Sequence, residues 1–224
     1  MVRQSFCVYP EVILPASQRR APEIVDVSGH GVPSALITVS VSQALQPHDD
    51  GILKKRSGKP PYYRIQRPQK VLNFLAREYP LERFGKIFTV IYATIDIQKG
   101  QLIYSSAGHP PPILLHPDGS LELLEKGGPI IGLDCIIPFE EGQIRLRFGD
   151  VLIFYTDGVV EFQNDDGVFY GAERFHGLLK NLKNRPIDEL LDEVIGDLLA
   201  FGGDSKLRDD VSILGMEYKK GGMK

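Results

Sequence analysis

Between residues 88 and 155 the chain is a succession of short apolar runs, each too brief for a helix and each closed by a turn signal. Residues 88–97 and 101–106 flank Lys99-Gly100, and Ile113-Leu114-Leu115 and Leu121-Glu122-Leu123-Leu124 flank Pro117-Asp118-Gly119. Connections this short join only antiparallel neighbours, because a parallel pair needs a crossover of a dozen or more residues. Ile144, Leu146 and Phe148 alternate with Arg145 and Arg147, as in a strand with one buried face. Gly149-Asp150 then turns the chain into Val151-Leu152-Ile153-Phe154-Tyr155, an all-apolar strand that ends on Thr156-Asp157-Gly158. The middle of the chain is therefore antiparallel sheet.

Helical patterns flank it. Pro33 opens residues 33–45 at the position where a missing N–H is harmless, and Ala35, Leu36, Val39 and Gln43 recur at helical spacing. Residues 68–79 carry Val71, Leu72, Leu75 and Tyr79 on one stripe. Residues 171–182 carry Phe175, Leu178, Leu179 and Leu182, and residues 186–201 carry Leu190, Leu191, Val194, Ile195, Leu198 and Leu199. A last strand follows Arg208-Asp209-Asp210. Helices, antiparallel strands, then helices predict an α+β fold.

Three stretches read as irregular. In residues 1–25, Pro10, Pro15 and Pro22 interrupt the apolar runs and allow only edge or irregular structure. Residues 46–67 read as a loop whose Lys54-Lys55-Arg56 cluster is a solvated face. The glycine-rich basic tail at 219–224 reads as frayed. With no internal repeat and no visible boundary, residues 1–224 read as one domain, its first 23 residues irregular or incomplete.

A formal net charge of −3 gives no electrostatic footprint for nucleic acid. Cys7 and Cys135 make no disulfide framework and no metal spacing, and read as reduced thiols. No apolar run approaches the roughly 18–20 residues of a membrane span, and no h-region follows Arg3. These features predict a cytoplasmic protein without membrane or nucleic-acid partners.

Three acids share one setting. Asp26 ends Ile24-Val25 and enters the turn Val27-Ser28-Gly29-His30-Gly31; Asp157 ends the apolar strand and precedes Gly158; Asp209-Asp210 abuts Val211-Ser212-Ile213-Leu214. Carboxylates at strand ends, beside glycines that let backbone carbonyls approach, suit hard cations such as Mg²⁺ or Mn²⁺. Each Asp taken singly also reads as a turn former, which is the reading adopted for Asp118-Gly119.

Four segments in this order resemble a known family: Asp26-Val27-Ser28-Gly29-His30-Gly31-Val32-Pro33, Ser106-Ala107-Gly108-His109-Pro110-Pro111-Pro112, Gly149-Asp150 through Thr156-Asp157-Gly158-Val159-Val160-Glu161, and Asp209-Asp210-Val211-Ser212. Together they resemble the SpoIIE/RsbU-like bacterial branch of the PPM (type 2C) metal-dependent serine/threonine protein phosphatases. The resemblance implies an α-β-β-α sandwich, two antiparallel sheets flanked by helices, and two divalent cations, Mn²⁺ or Mg²⁺. It implies that Asp26 bridges both metals, that the Val27 carbonyl binds one, and that Asp157 and Asp209 hold the other. Asp210, His30 and Gly158 are implied as supporting residues; His30 and His109 read as structural hydrogen-bonders rather than general acids. The implied reaction is hydrolysis of phosphoserine or phosphothreonine on a bacterial regulatory protein, in this family often an anti-sigma-factor antagonist.

The chain departs from the family pattern in one place. The Gly-Gly-Asp-x-x-Asp segment that usually precedes the Asp26 motif is absent from residues 1–25, whose acids are Glu11 and Glu23. A missing or irregular first strand predicts an exposed sheet edge and pairing into a homodimer. It also keeps open a competing reading, a catalytically impaired member that acts as a protein-binding regulatory module.

Overall fold

The computed structural model describes residues 19–20, 22–29, 32–45, 52–56, 63–133, 137–203, 210–219 and 222–223. In chain order the elements are β1 (Arg19–Arg20), β2 (Glu23–Val27), α1 (Val32–Ala44), β3 (Lys54–Arg56), β4 (Tyr63–Ile65), α2 (Pro68–Glu78), α3 (Leu81–Phe84), β5 (Phe88–Asp96), β6 (Gln101–Ala107), β7 (Ile113–Leu115), β8 (Leu121–Leu123), β9 (Gly127–Gly128), β10 (Gly142–Arg145), β11 (Val151–Tyr155), a 3₁₀ turn (Asp157–Val159), α4 (Ala172–Asn181), α5 (Ile187–Gly202), β12 (Ile213–Lys219) and β13 (Gly222–Met223). They form the mixed α+β arrangement expected, two main sheets each with its own helices, distributed over two compact units.

The first unit comprises Val8–His109 and Glu125–Leu146. Its spine is the hairpin β5–β6, closed by a turn in which the Lys99 N–H donates to Asp96 Oδ1 at 3.1 Å and Gly100 takes φ 62°. β10 pairs with β6 on one flank, while β1 and β2 pair with β5 on the other. The pairs Arg19 with Asp96 and Val27 with Phe88 belong to one continuous register, broken at Pro22, which has no N–H to give. The pairing is antiparallel except at β9, which lies parallel to β6. That approach depends on glycine, since a Cβ on Gly127 would lie 2.1 Å from the Ser106 carbonyl oxygen.

α1 packs on β2, and α2 packs on β5 and β6. The α2 stripe is the one expected: Val71, Leu72, Leu75 and Tyr79 are all buried. α1 is a helix as expected, but Leu36 and Val39 are exposed, and Ser34, Ile37 and Val41 are its buried residues. The helix is apolar on every side, so periodicity alone does not identify its buried face. The stretch read as a loop between these helices contains an antiparallel pair, β3 with β4. Leu53 is buried at its base and Ile52 packs on the same core, anchoring a hairpin that glycine and proline disguise in the sequence.

The second unit contains Pro110–Leu124 and Arg147–Lys224, and its sheet runs β13-β12-β11-β7-β8. β11 is buried along its whole length between β7 and β12. α5 packs on β12 and against α4, with Phe175, Leu179, Leu190, Val194 and Leu198 in the shared core. Asp118 is the turn former expected, accepting from the Ser120 N–H at 2.8 Å. Asp150 is 1% exposed and pins the start of β11: its carboxylate meets His116 Nδ1 at 2.8 Å and accepts the Arg147 N–H at 2.7 Å. This turn cuts short the strand expected through Phe148; β10 ends at Arg145, and Phe148 is exposed and stacks on Tyr218. Where the sequence suggested a frayed tail, Gly222 and Met223 pair with Lys219 and Tyr218. Among the described residues, no helix is long and apolar enough to cross a membrane. Cys7 and Cys135 lie outside the described residues.

Candidate metal centre

Asp26 sits one residue before the end of β2, opposite Thr89 on β5. Val25 and Val27 pack with Phe88, Val90 and Tyr92 in the helix-covered core. Strand alternation therefore sets Asp26 on the other face of the sheet, beside Thr89. The Thr89 hydroxyl is hydrogen-bonded to His109 Nδ1 at 2.8 Å. His109 is buried, and its backbone is held by Ser106, whose Oγ accepts the His109 N–H at 3.1 Å and donates to the His109 carbonyl at 3.0 Å. The Ser-Ala-Gly-His segment is thus a turn that delivers an imidazole to the residue next to Asp26. That agrees with the structural role expected for His109. Thr89 was not foreseen from the residues; a hydroxyl within the otherwise apolar run Phe88-Thr89-Val90-Ile91 was the available signal.

Beyond Val27 the chain turns through Ser28 and Gly29, and Gly29 takes φ 79°, a conformation that favours glycine. The Ser28 N–H donates to the Ile87 carbonyl at 3.0 Å, extending the β2–β5 ladder past the strand end. The Ser28 carbonyl accepts from Ser34 Oγ at 3.1 Å and from Lys86 Nζ at 3.2 Å. His30 lies outside the described residues.

Three residues before Asp26, on the helix-covered face, Glu23 stands opposite Tyr92. Glu23 Oε2 and Tyr92 Oη are buried without a hydrogen-bond partner among the described residues. Burial pushes the Glu23 carboxyl up to about 8. Burial also raises the Tyr92 phenol, and the neighbouring Glu23 adds to the rise.

In the other unit, Asp157 follows β11 and opens the 3₁₀ turn, where its carbonyl accepts the N–H groups of Val160 at 2.9 Å and Glu161 at 2.8 Å. Thr156 ties this turn to the segment before β12. Its N–H donates to the Ser212 carbonyl at 3.1 Å, its Oγ1 donates to the Asp210 carbonyl at 2.8 Å, and the Ser212 N–H donates back to that Oγ1 at 2.9 Å. Gly158 closes the contact: a Cβ there would lie 2.6 Å from the Asp210 carbonyl oxygen. The structure therefore brings Asp157, Gly158 and Asp210 together, with Asp210 acting through its backbone. Asp209 lies outside the described residues. Among the described residues no group of three or more His, Cys, Asp or Glu side chains gathers as a metal site.

The donor chemistry nevertheless fits a hard cation. Asp157 Oδ1 is buried and has no hydrogen-bond partner among the described residues. A carboxylate oxygen withdrawn from water costs free energy unless a proton, a donor or a metal meets it. Asp157 stands just past the end of a buried strand, on a turn whose Thr156 and Asp157 carbonyls already accept backbone N–H groups.

Among solved structures, the SiaA-PP2C domain of Pseudomonas aeruginosa superposes with a TM-score of 0.69 at 19% identity, covering 91% of this chain and 81% of that one. The RsbU and RsbW domains of Rv1364c from Mycobacterium tuberculosis give a TM-score of 0.67 at 25% identity, covering 92% of this chain and 53% of that one. The fold is that of the PP2C-type phosphatase domains. Residues 19–219 match the family of stage II sporulation protein E (SpoIIE), and the chain belongs to that family. It is 29% identical to the phosphoserine phosphatase RsbP of Bacillus subtilis over 175 residues, covering 78% of this chain and 40% of RsbP. With the phosphoserine phosphatase RsbU of the same organism it shares 26% identity over 199 residues, covering 88% of this chain and 55% of RsbU. The chain thus spans about half the length of these curated relatives, or less. A phosphatase of the same fold, PstP, has been solved with two manganese ions; it is 15% identical, with a TM-score of 0.58, and the match covers 93% of this chain and 94% of PstP.

Proposed function

We propose that the chain is a single metal-dependent protein phosphatase domain that hydrolyses phosphoserine or phosphothreonine on a bacterial regulatory protein. The observation that carries this reading is the buried carboxylate oxygen of Asp157, which has no hydrogen-bond partner among the described residues, on a turn tied to the Asp210 backbone. Membership of the SpoIIE family and the likeness to RsbP and RsbU support it.

Asp26, the Val27 carbonyl, Asp157 and Asp209 would hold two divalent cations, Mn²⁺ or Mg²⁺. When bound, such a pair supplies Lewis acidity that lowers the pKa of water and neutralises phosphoryl charge. The protein's part is positioning. Asp26 and Asp157 bring carboxylate charge on strand-end backbone, Thr156 locks the Asp157 turn to the Asp210 segment, and Gly158 lets the two backbones touch. Thr89 and His109 set the polar surface beside Asp26. No side chain here has to form a covalent phosphoenzyme. The substrate class within this reading is a phosphorylated anti-sigma-factor antagonist. A cytoplasmic homodimer that binds neither membrane nor nucleic acid completes it.

Hydrolysis of p-nitrophenyl phosphate tests the reading. Turnover is expected to require Mn²⁺ and to fall by about 10²–10³-fold in Asp157→Asn. Turnover that persists in a chelator would overturn it. Calorimetric titration with Mn²⁺ separates an enzyme from a non-catalytic binding module, because uptake at two sites in the micromolar range belongs to the former.

A further inference from the structure

We infer that Lys86 is a positioning residue for the metal-binding turn, its ammonium acting with the Ser34 hydroxyl to fix the Ser28 carbonyl and, through it, the Asp26–Val27 backbone. The inference rests on the reading of Asp26 and Val27 as metal ligands.

One carbonyl oxygen, that of Ser28, receives two donors from different elements. Ser34 reaches it from α1 at 3.1 Å, and Lys86 reaches it from the approach to β5 at 3.2 Å. A carbonyl has two lone pairs, so this acceptor is fully used. The Ser28 side chain closes the same join from the other direction, since its Oγ accepts the Ile87 N–H at 3.4 Å.

Both ends of Lys86 lie against glycines. At the tip, a Cβ on Gly29 would lie 2.9 Å from Lys86 Nζ, so the ammonium packs directly against the turn. At the base, a Cβ on Gly132 would lie 2.9 Å from the Lys86 carbonyl oxygen. The strand start next to it is paired in both directions, with Phe88 and Ile131 exchanging N–H···O bonds at 3.1 and 3.0 Å. A long, flexible side chain ordinarily gains little from one exposed hydrogen bond. Here the Lys86 backbone is held at the start of β5, and the carbonyl its ammonium reaches is one residue from the proposed carbonyl ligand.

Charge alone predicts the opposite effect. An ammonium near bound cations repels them, so removing it would tighten metal binding. A clamp predicts that removing it loosens metal binding. The sign of the change separates the two.

The experiment is calorimetric titration of the full chain with Mn²⁺ for the parent, Lys86→Met, Lys86→Gln, Lys86→Arg and Ser34→Ala, with thermal unfolding measured alongside. Lys86→Met is expected to weaken Mn²⁺ binding by about tenfold, the lower end of what partners supporting a metal ligand contribute. Lys86→Arg, which keeps donor and charge, is expected to restore it, and Lys86→Gln to restore it in part. The effects of Lys86→Met and Ser34→Ala are expected to be non-additive, because both act on one acceptor. Unchanged or tighter Mn²⁺ binding in Lys86→Met overturns the inference alone, as does a loss that merely follows the fraction unfolded. A parent chain that takes up no Mn²⁺ overturns the inference together with the metal reading beneath it.

Discussion

The turn that carries Asp157 and the turn that carries Asp26 are held by different means. At Asp157 the restraint is almost wholly internal: a fully buried strand leads in, a threonine hydroxyl accepts one backbone N–H and donates to a carbonyl, and Gly158 lies against the Asp210 backbone. At Asp26 the restraint comes from the side chains of Ser28, Ser34 and Lys86 and from Thr89 with His109. The helix that follows Asp26 leaves Val32, Leu36 and Val39 exposed at 72%, 65% and 54%, whereas Leu190, Val194 and Leu198 of α5 are buried. The contrast teaches that the Asp157 turn is held from within its own core, whereas the Asp26 turn, beyond its strand pairing, is held by side chains that reach it from neighbouring elements.

The largest test of that contrast is Gly158→Ala. Its Cβ would meet backbone rather than a flexible tip, so the Asp157 turn must move away from Asp210. Mn²⁺-dependent turnover is expected to fall by about 10²-fold, the scale set by roughly 1 Å of misplacement. Unaffected turnover would show that the Gly158–Asp210 contact does not hold the Asp157 turn in place. Thr156→Val should come next, since it removes one donor and one acceptor while keeping the shape. A cost of about 1–3 kcal/mol in urea unfolding is expected, with the Ser212 N–H and the Asp210 carbonyl left short of a partner.

Acid–base behaviour gives a third test, in the Asp26 unit. Folded Glu23 keeps its proton up to about pH 8, whereas the ordinary carboxyl value is 4.5. The unfolded chain releases that proton first, so stability should decline as pH rises from about 4.5 to about 8 and level off above. By linkage the whole decline is at most roughly 5 kcal/mol. Urea midpoints measured from pH 5 to 9 should show it, and Glu23→Gln should flatten the curve. A parent curve that is already flat would show Glu23 to be solvated. The smallest effect is expected for Leu36→Ser on the exposed side of α1, within about 0.5 kcal/mol by the same unfolding measurement.

Much of this was legible from the residues. Turn chemistry located the β5–β6 and β7–β8 hairpins, and amphipathic spacing located α2, α4 and α5, because those signals are local. The buried face of α1 was not legible, since a helix apolar all round has no periodic contrast; what selects Ser34, Ile37 and Val41 is the sheet beneath. The β3–β4 hairpin was hidden for a related reason, its anchor being Leu53 in a distant core. At the candidate site, Asp157, Gly158 and Asp210 were found as a sequence pattern and are neighbours in the structure. Thr89 and Lys86 were missed because their importance comes from cross-strand register, which links residues about 60 positions apart.

The interleaving of the two units bears on how the protein is made. Residues 125–146 belong with the Asp26 unit, although Pro110–Leu124 before them and Arg147 after them belong with the other. A ribosome emitting this chain delivers β7 and β8 well before β11, the strand that β7 must join. The early hairpin has to wait, marginal by itself, while the first sheet is completed by β10. The same order means that cutting the gene at any single point between residues 110 and 146 separates segments that need each other. Folded halves of this chain would therefore be recovered only by co-expressing fragments that reassemble.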